Sequence, residues 1–117
     1  MRIRKRMRGA DERRPTTLVA GELRLDLLGR CAWYGEQFID LPDREFALLE
    51  YFMRHPNQVL TRDLIEQHIW SYDFISASNV VDVYVRRLRR KVDDPFAEKL
   101  LETVYGAGYR LRVLETR

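Results

Sequence analysis

The 117-residue sequence predicts a single α+β domain, with a small antiparallel sheet first, three helices in the middle and a β-hairpin at the end. Three observations carry that prediction. Apolar residues recur with period two between Leu18 and Leu41, with helical spacing between Phe46 and Val92, and with period two again from Leu101 to Val113. Glycine, proline and asparagine stand where the period changes. A chain of this length buries roughly 65% of its unfolded surface, so a core forms without cross-links, and a lone cysteine, Cys31, excludes an internal disulfide framework.

Residues 1–15 read apart from the rest. The run Arg2-Ile3-Arg4-Lys5-Arg6-Met7-Arg8 and the polar stretch to Pro15 suit a helix end followed by a basic linker, either solvated or in contact with nucleic acid. Residues 16–117 make the domain. Leu23, Leu25 and Leu27 alternate with Arg24 and Asp26, and Gly29 and Gly35 punctuate Cys31–Tyr34 and Phe38–Leu41. A meander of three or four short strands follows, with Trp33 and Tyr34 expected to pack it.

After Pro42 the spacing becomes helical. Phe46, Leu48, Leu49, Phe52 and Met53 line one side of a first helix over 43–54, and His55-Pro56-Asn57 stops it. Thr61 is placed to cap a second helix carrying Leu64, Ile65, His68 and Ile69, with His68 expected to be packed or at the rim. The connector from Trp70 to Ser78 carries Trp70, Tyr72 and Phe74, and Ser78 can cap the helix that follows.

The third helix, residues 79–92, is the informative one. At about 100° per residue, Val81, Val85, Leu88 and Val92 fall in one narrow apolar stripe. Asn79, Val83, Arg86 and Arg90 lie opposite, flanked by Arg87 and Lys91 on one side and Asp82 and Arg89 on the other. Asp93-Asp94-Pro95 ends the helix, although two acids oppose the macrodipole there. Beyond it, Leu101–Val104 and Tyr109–Val113 alternate around Tyr105-Gly106-Ala107-Gly108, which makes a hairpin.

The net charge of +3 is unevenly distributed. Residues 1–14 carry +5, residues 15–78 carry −5, residues 79–92 carry +4 and the remainder −1. Positive charge is therefore local, confined to the tail and one helix face. A charged outer face alone means only solubility, but such faces normally mix signs. Five basic residues against one acid, in an otherwise acidic body, point to duplex DNA, whose major groove admits a helix. Arginines reach guanine or phosphate, and the exposed Val83 can meet a thymine methyl. RNA is disfavoured, since its deep major groove excludes a helix and no aromatic stacking platform is evident.

The strings LPDREFALLEYFMRHPNQVLTRDLIEQHIW, NVVDVYVRRLRRKV and TVYGAGYRL, in this order and spacing, resemble the effector domain of OmpR/PhoB-type response regulators. The likeness runs from Leu18 to nearly the end of the chain. It implies a winged helix-turn-helix: a four-stranded antiparallel sheet, three helices and a hairpin wing, acting in transcription within a two-component phosphorelay. It further implies that Val83 and Arg87 read bases, and that Asn79, Tyr84, Arg86 and Arg89 hold phosphates, with Arg90 added from the helical wheel. Trp70, Thr103 and Tyr109 match backbone-contacting positions, Trp70 being equally open to plain packing against the third helix. Tyr105 and Gly106 form the wing tip near the minor groove.

The resemblance also implies partners: tandem direct repeats in double-stranded DNA, a second copy bound head to tail, RNA polymerase through residues 71–78, and a receiver domain and sensor kinase belonging to a longer protein of which this chain is a fragment. Two local departures stand out. Tyr105 occupies a position where many relatives carry an arginine for the minor groove, and Pro42 stands where a Ser or Thr cap is usual, which leaves Asp43 to supply the carboxylate.

Other classes fit less well. A winged helix that docks protein, not DNA, is the nearest rival, and a module of the transcription machinery is its natural form. An enzyme is disfavoured because no nucleophile motif or convergent titratable pair is present. His55 and His68 with Cys31 offer no zinc spacing, and no cofactor is implied. Without a membrane-length apolar run or an apolar signal segment, a cytoplasmic protein is expected.

Overall fold

The computed structural model describes residues 16–70, 79–96 and 99–113. Four short strands, β1 (Thr17–Ala20), β2 (Leu23–Asp26), β3 (Cys31–Tyr34) and β4 (Gln37–Ile39), form an antiparallel sheet in the order β1-β2-β3-β4. Pairing is in simple meander register, with Leu18 opposite Leu25, Leu25 opposite Ala32 and Ala32 opposite Ile39. Because strand side chains alternate, this register puts Leu25, Ala32 and Ile39 on the buried face. Val19, Arg24, Trp33 and Phe38 form a row on the other face.

The expected packing role of the two aromatics divides between the faces. Trp33 meets the Phe38 ring edge-on at 5.2 Å and lies under the Arg24 guanidinium, while Tyr34 stacks on Phe96 beyond the helices. The fourth strand ends at Ile39, so Leu41 is buried outside the sheet.

Helix α1 (Asp43–Arg54) buries Phe46, Leu48, Leu49, Phe52 and Met53, the stripe its spacing requires. Its start differs from expectation. Pro42 occupies the capping position and has no side-chain acceptor, and no side-chain cap forms. The Asp43 carboxylate sits 3.5 Å from the Arg30 guanidinium instead, and Arg30 also covers the Phe46 ring at 4.3 Å.

In α2 (Arg62–Trp70) the Thr61 hydroxyl accepts a hydrogen bond from the Leu64 amide at 3.1 Å, the predicted cap. Only Ile65 and Trp70 of this helix are fully buried; Leu64 is exposed, and His68 is an exposed ring stacked on Tyr51. A short helix with one anchored turn at each end suffices, because α1 and the third helix supply most of the apolar wall.

Helix α3 (Val80–Val92) buries Val81, Val85, Leu88 and Val92, the four residues of the narrow stripe. Asn79 precedes it without a side-chain cap bond, and Ser78 lies outside the described residues. Its end explains the two acids. Asp93 is 2% exposed, and its carboxylate accepts the amides of Leu100 and Leu101, both at 3.0 Å, at the start of the next strand. Lys99 supplies the positive charge that the helix terminus favours, its ammonium donating to the carbonyls of Asp93, Asp94 and Phe96. Burial pushes the Asp93 carboxyl up, and the two amide bonds oppose that push.

Strands β5 (Leu101–Val104) and β6 (Gly108–Leu111) form the hairpin, with Thr103 opposite Tyr109 and a cross-strand Glu102–Arg110 pair. The hairpin root is fastened to the α1–α2 loop. Leu60 and Tyr109 exchange backbone hydrogen bonds of 2.8 and 3.0 Å, the Asn57 amide donates to Leu111, and the Asn57 side chain closes a two-way bond with Val113. Asn57 has φ +64°, a left-handed conformation that asparagine tolerates better than most residues. The wing is thus a third point of attachment for the helical layer, and its tip is free to project.

Candidate nucleic-acid interface

The outer face of α3 presents Asn79, Arg86, Arg87 and Arg90 as exposed side chains, with Val83 and Tyr84 half-buried between them. These residues share a face because positions three and four apart lie together on a helix, and the opposite face is sealed into the core. A stack of rings and cations supports the arrangement. The Arg44 guanidinium of α1 lies 5.5 Å from the Trp70 ring, Trp70 meets Tyr84 edge-on at 5.1 Å, and Arg87 lies 4.9 Å over Tyr84. Tyr84 therefore props Arg87 outward on a base that spans all three helices.

Trp70 is only 3% exposed. Of the two roles its sequence position left open, the packing role against α3 is present in the structure. Tyr72 and Phe74, together with the 71–78 connector, lie outside the described residues, as does the basic tail 1–15.

Not every basic residue of the helix is available. Lys91 turns inward: its ammonium lies 3.0 Å from a carboxylate oxygen of the buried Glu45 and donates to the Asp40 carbonyl. Arg89 is half-buried and donates to the Leu101 carbonyl at 3.1 Å and to the Thr103 hydroxyl at 2.7 Å. Arg89 and Thr103, named separately from the sequence, are thus brought together and joined across the helix–wing junction. Arg86, Arg87 and Arg90 remain as the outward cations of this face.

The sequence did not single out two members of a further cluster. Asp82, on the first turn of α3, accepts hydrogen bonds from the Tyr109 hydroxyl of β6 and from Arg62 Nε of α2, the latter at 2.9 Å. Tyr109 is 5% exposed, its ring flanked by the guanidinium groups of Arg62 and Arg89, each 5.5 Å away. Partial burial pushes the Asp82 carboxyl up, but the bonds from Tyr109 and Arg62 and the charges of Arg62 and Arg86 outweigh it and hold the group below its ordinary range. Burial and the Asp82 bond both push the Tyr109 phenol up, so it remains a neutral donor. Sequence separations of 20 and 27 residues leave no local signal for these contacts.

At the wing tip, Tyr105 is 91% exposed and Gly106 has φ +79°. The Ala107 amide closes the turn on the Val104 carbonyl at 2.9 Å. The tip offers an aromatic ring and a hydroxyl where a cation would offer charge.

An N-terminal sheet, three helices with a basic outward third helix, and a hairpin wing define a winged-helix domain of the DNA-binding class. Residues 35–111 match the family described as transcriptional regulatory protein, C terminal, and the chain belongs to that family, in its OmpR/PhoB type. The family comprises transcription regulators and not enzymes. The chain is 48% identical over 99 residues to the transcriptional regulatory protein TcrA of Mycobacterium tuberculosis, covering 85% of this chain and 39% of TcrA. It is 45% identical over 92 residues to CusR of Escherichia coli, covering 79% of this chain and 40% of CusR. It therefore spans about two fifths of the length of these relatives.

Among solved structures, the DNA-binding domain of Klebsiella pneumoniae RstA, determined in complex with the RstA box, superposes with a TM-score of 0.74 at 26% identity, covering 84% of this chain and 98% of that one. The response regulator DrrB of Thermotoga maritima, an OmpR/PhoB homologue, superposes with a TM-score of 0.75 at 25% identity, covering 88% of this chain and 47% of DrrB. No helix among the described residues is long and apolar enough to cross a membrane.

Proposed function

We propose that this domain binds double-stranded DNA with sequence preference and thereby controls transcription, with α3 lying in the major groove. The observation that carries the reading is the division of α3: one face wholly buried, the other presenting Arg86, Arg87 and Arg90 around Val83. A groove about 12 Å wide accepts a helix of this kind along its outer face. The similar RstA DNA-binding domain, determined in complex with the RstA box, supports DNA as the partner.

In this reading Val83 and Arg87 meet base edges, and Asn79, Tyr84, Arg86 and Arg90 hold phosphates. Arg89 and Thr103 act at the backbone as a joined unit at the wing root, with the buried Tyr109 supporting them from behind through its bond to Asp82, and Trp70 acts through Tyr84. The wing tip, Tyr105 and Gly106, approaches the minor groove. Two copies bind tandem direct repeats head to tail, and DNA brings them together by raising their effective concentration. Residues 1–15 act as the linker to a receiver domain addressed by a sensor kinase, in the cytoplasm, and residues 71–78 meet RNA polymerase.

The reading predicts different consequences for neighbouring arginines. Arg87→Ala is expected to cost about 1 to 3 kcal/mol on the preferred duplex and to relax preference at one base pair, whereas Arg86→Ala weakens all duplexes alike and lowers the salt slope by about one. Fluorescence-anisotropy titrations on preferred and random duplexes, across a salt series, separate the two. Equal losses on both duplexes for Arg87→Ala would make it a phosphate ligand, and a flat salt response for the parent domain would favour a protein-docking role.

A further inference from the structure

Asp82 is the single acid on the α3 segment, and it stands on the flank of the face that the proposed function turns toward phosphate. An anion there opposes binding by Coulomb repulsion, so its presence needs a compensating use. Its position supplies one. Asp82 touches both elements that contact DNA in the proposed reading: it belongs to α3, and it accepts the Tyr109 hydroxyl of β6. Through Arg62 it also holds α2, the helix that packs behind α3.

The same joint is reinforced on the next turns. Arg89 of α3 bonds Leu101 and Thr103 of β5, and Tyr109 lies between the guanidinium groups of Arg62 and Arg89. The Tyr109 backbone is in turn fixed to Leu60. Charge-assisted bonds thus link α2 to α3 and α3 to the wing, and a backbone bridge at Leu60 ties the wing to the loop before α2.

Resting on the DNA-binding reading above, we infer that Asp82 is a positioning residue that sets DNA specificity. By latching α3 to the wing through Tyr109 and to α2 through Arg62, it makes the helix and the wing dock as one rigid surface. A rigid two-element surface fits a duplex only when groove spacing and base edges suit both elements at once. A loosened one lets each element find phosphates independently, which helps random DNA as much as cognate DNA. The carboxylate adds to the discrimination, because its repulsion penalises every duplex and only the cognate contacts offset it.

The test uses Asp82→Ala, Asp82→Asn and Tyr109→Phe in the same domain, each titrated on the duplex preferred by the parent and on a random duplex over a salt series. A bond to a charged group is strong enough that losing it corresponds to about a tenfold effect. Asp82→Ala is expected to lower the cognate-to-random ratio by about tenfold or more, by weakening cognate binding while random binding holds or rises. Tyr109→Phe, which keeps the ring and removes only the hydroxyl, is expected to lower the ratio with the salt slope unchanged. Asp82→Asn, which keeps an acceptor for Tyr109, is expected to recover part of the lost ratio.

An unchanged ratio in both Asp82→Ala and Tyr109→Phe, with the folded state intact by circular dichroism, overturns the latch and leaves the DNA reading standing. Equal losses on both duplexes with a shallower salt slope in Tyr109→Phe also overturn it, by making the hydroxyl a phosphate ligand. A parent domain with no preference between duplexes overturns the DNA reading itself, and the latch with it.

Discussion

Gly108→Ala is expected to unseat the wing. A Cβ at Gly108, where φ is +156°, falls 2.2 Å from the Leu60 carbonyl oxygen and 2.9 Å from Thr61 Cα, and both neighbours are backbone that cannot swing aside as a side chain could. Relieving the clash means separating β6 from the α1–α2 loop, which breaks the paired Leu60–Tyr109 bonds next door. Overpacking together with those bonds makes the expected loss about 2 to 4 kcal/mol of unfolding free energy. Chemical denaturation measures the loss, and faster amide exchange at Leu60 and Tyr109 locates it. Gly106→Ala is a useful contrast, since nothing lies within 4 Å of a Cβ there and its cost comes from φ +79° alone. A Gly108→Ala domain as stable as the parent would show that the wing root is not anchored as described.

The second large effect is expected at the base of the hairpin, where β5 starts. Asp93→Ala removes the acceptor of two amides, Leu100 and Leu101, in a site where Asp93 itself is almost fully buried. Donors left unpaired out of water are costly, and two of them correspond to about 2 to 4 kcal/mol. Asp94→Ala, one residue along and exposed, is expected to stay within about 0.5 kcal/mol of the parent. Thermal or urea unfolding of the two variants side by side checks the contrast. Comparable stabilities would mean that water satisfies the strand start and that Asp93 is an ordinary helix-end residue.

These two positions also mark the limit of what the sequence makes legible. Periodicity alone places the stripe of Val81, Val85, Leu88 and Val92 and the α1 wall from Phe46 to Met53, because burial of a helix face leaves a repeat of about 3.6 residues. Thr61 as a cap is legible because its hydroxyl acts within three residues, and Asn57 as a stop because its left-handed φ is a local property, although its side chain reaches on to Val113. Asp93 looks misplaced beside a helix C-terminus when read locally, and makes sense only through amides seven and eight residues later. Gly108 reads as a turn residue, whereas its main constraint is a carbonyl 48 residues upstream.

The candidate interface divides in the same way. The outward Arg86, Arg87 and Arg90 follow from the helical wheel, since exposure is the complement of the buried stripe. Lys91 and Arg89 stand on the flanks of the wheel, as Arg87 does, yet they turn to Glu45 and to the wing because long side chains follow tertiary partners that a wheel does not contain. Asp82 counted in the sequence only as the one subtracted charge, and its role depends on residues from two other elements. At the start of α1, Pro42 removed the familiar cap, and Arg30 rather than a helix amide took up the Asp43 carboxylate.

In the proposed function, α3 reads duplex DNA through its outward face. Selection from a random double-stranded library by the domain, at about 0.15 M salt, tests it most directly, because affinity without a stated salt concentration carries no meaning. Enrichment of two similar half-sites in direct orientation, about one helical turn apart, is expected, with the motif relaxed at one base pair when Arg87→Ala is selected in parallel. An unenriched library, or the same motif recovered by Arg87→Ala, would contradict it.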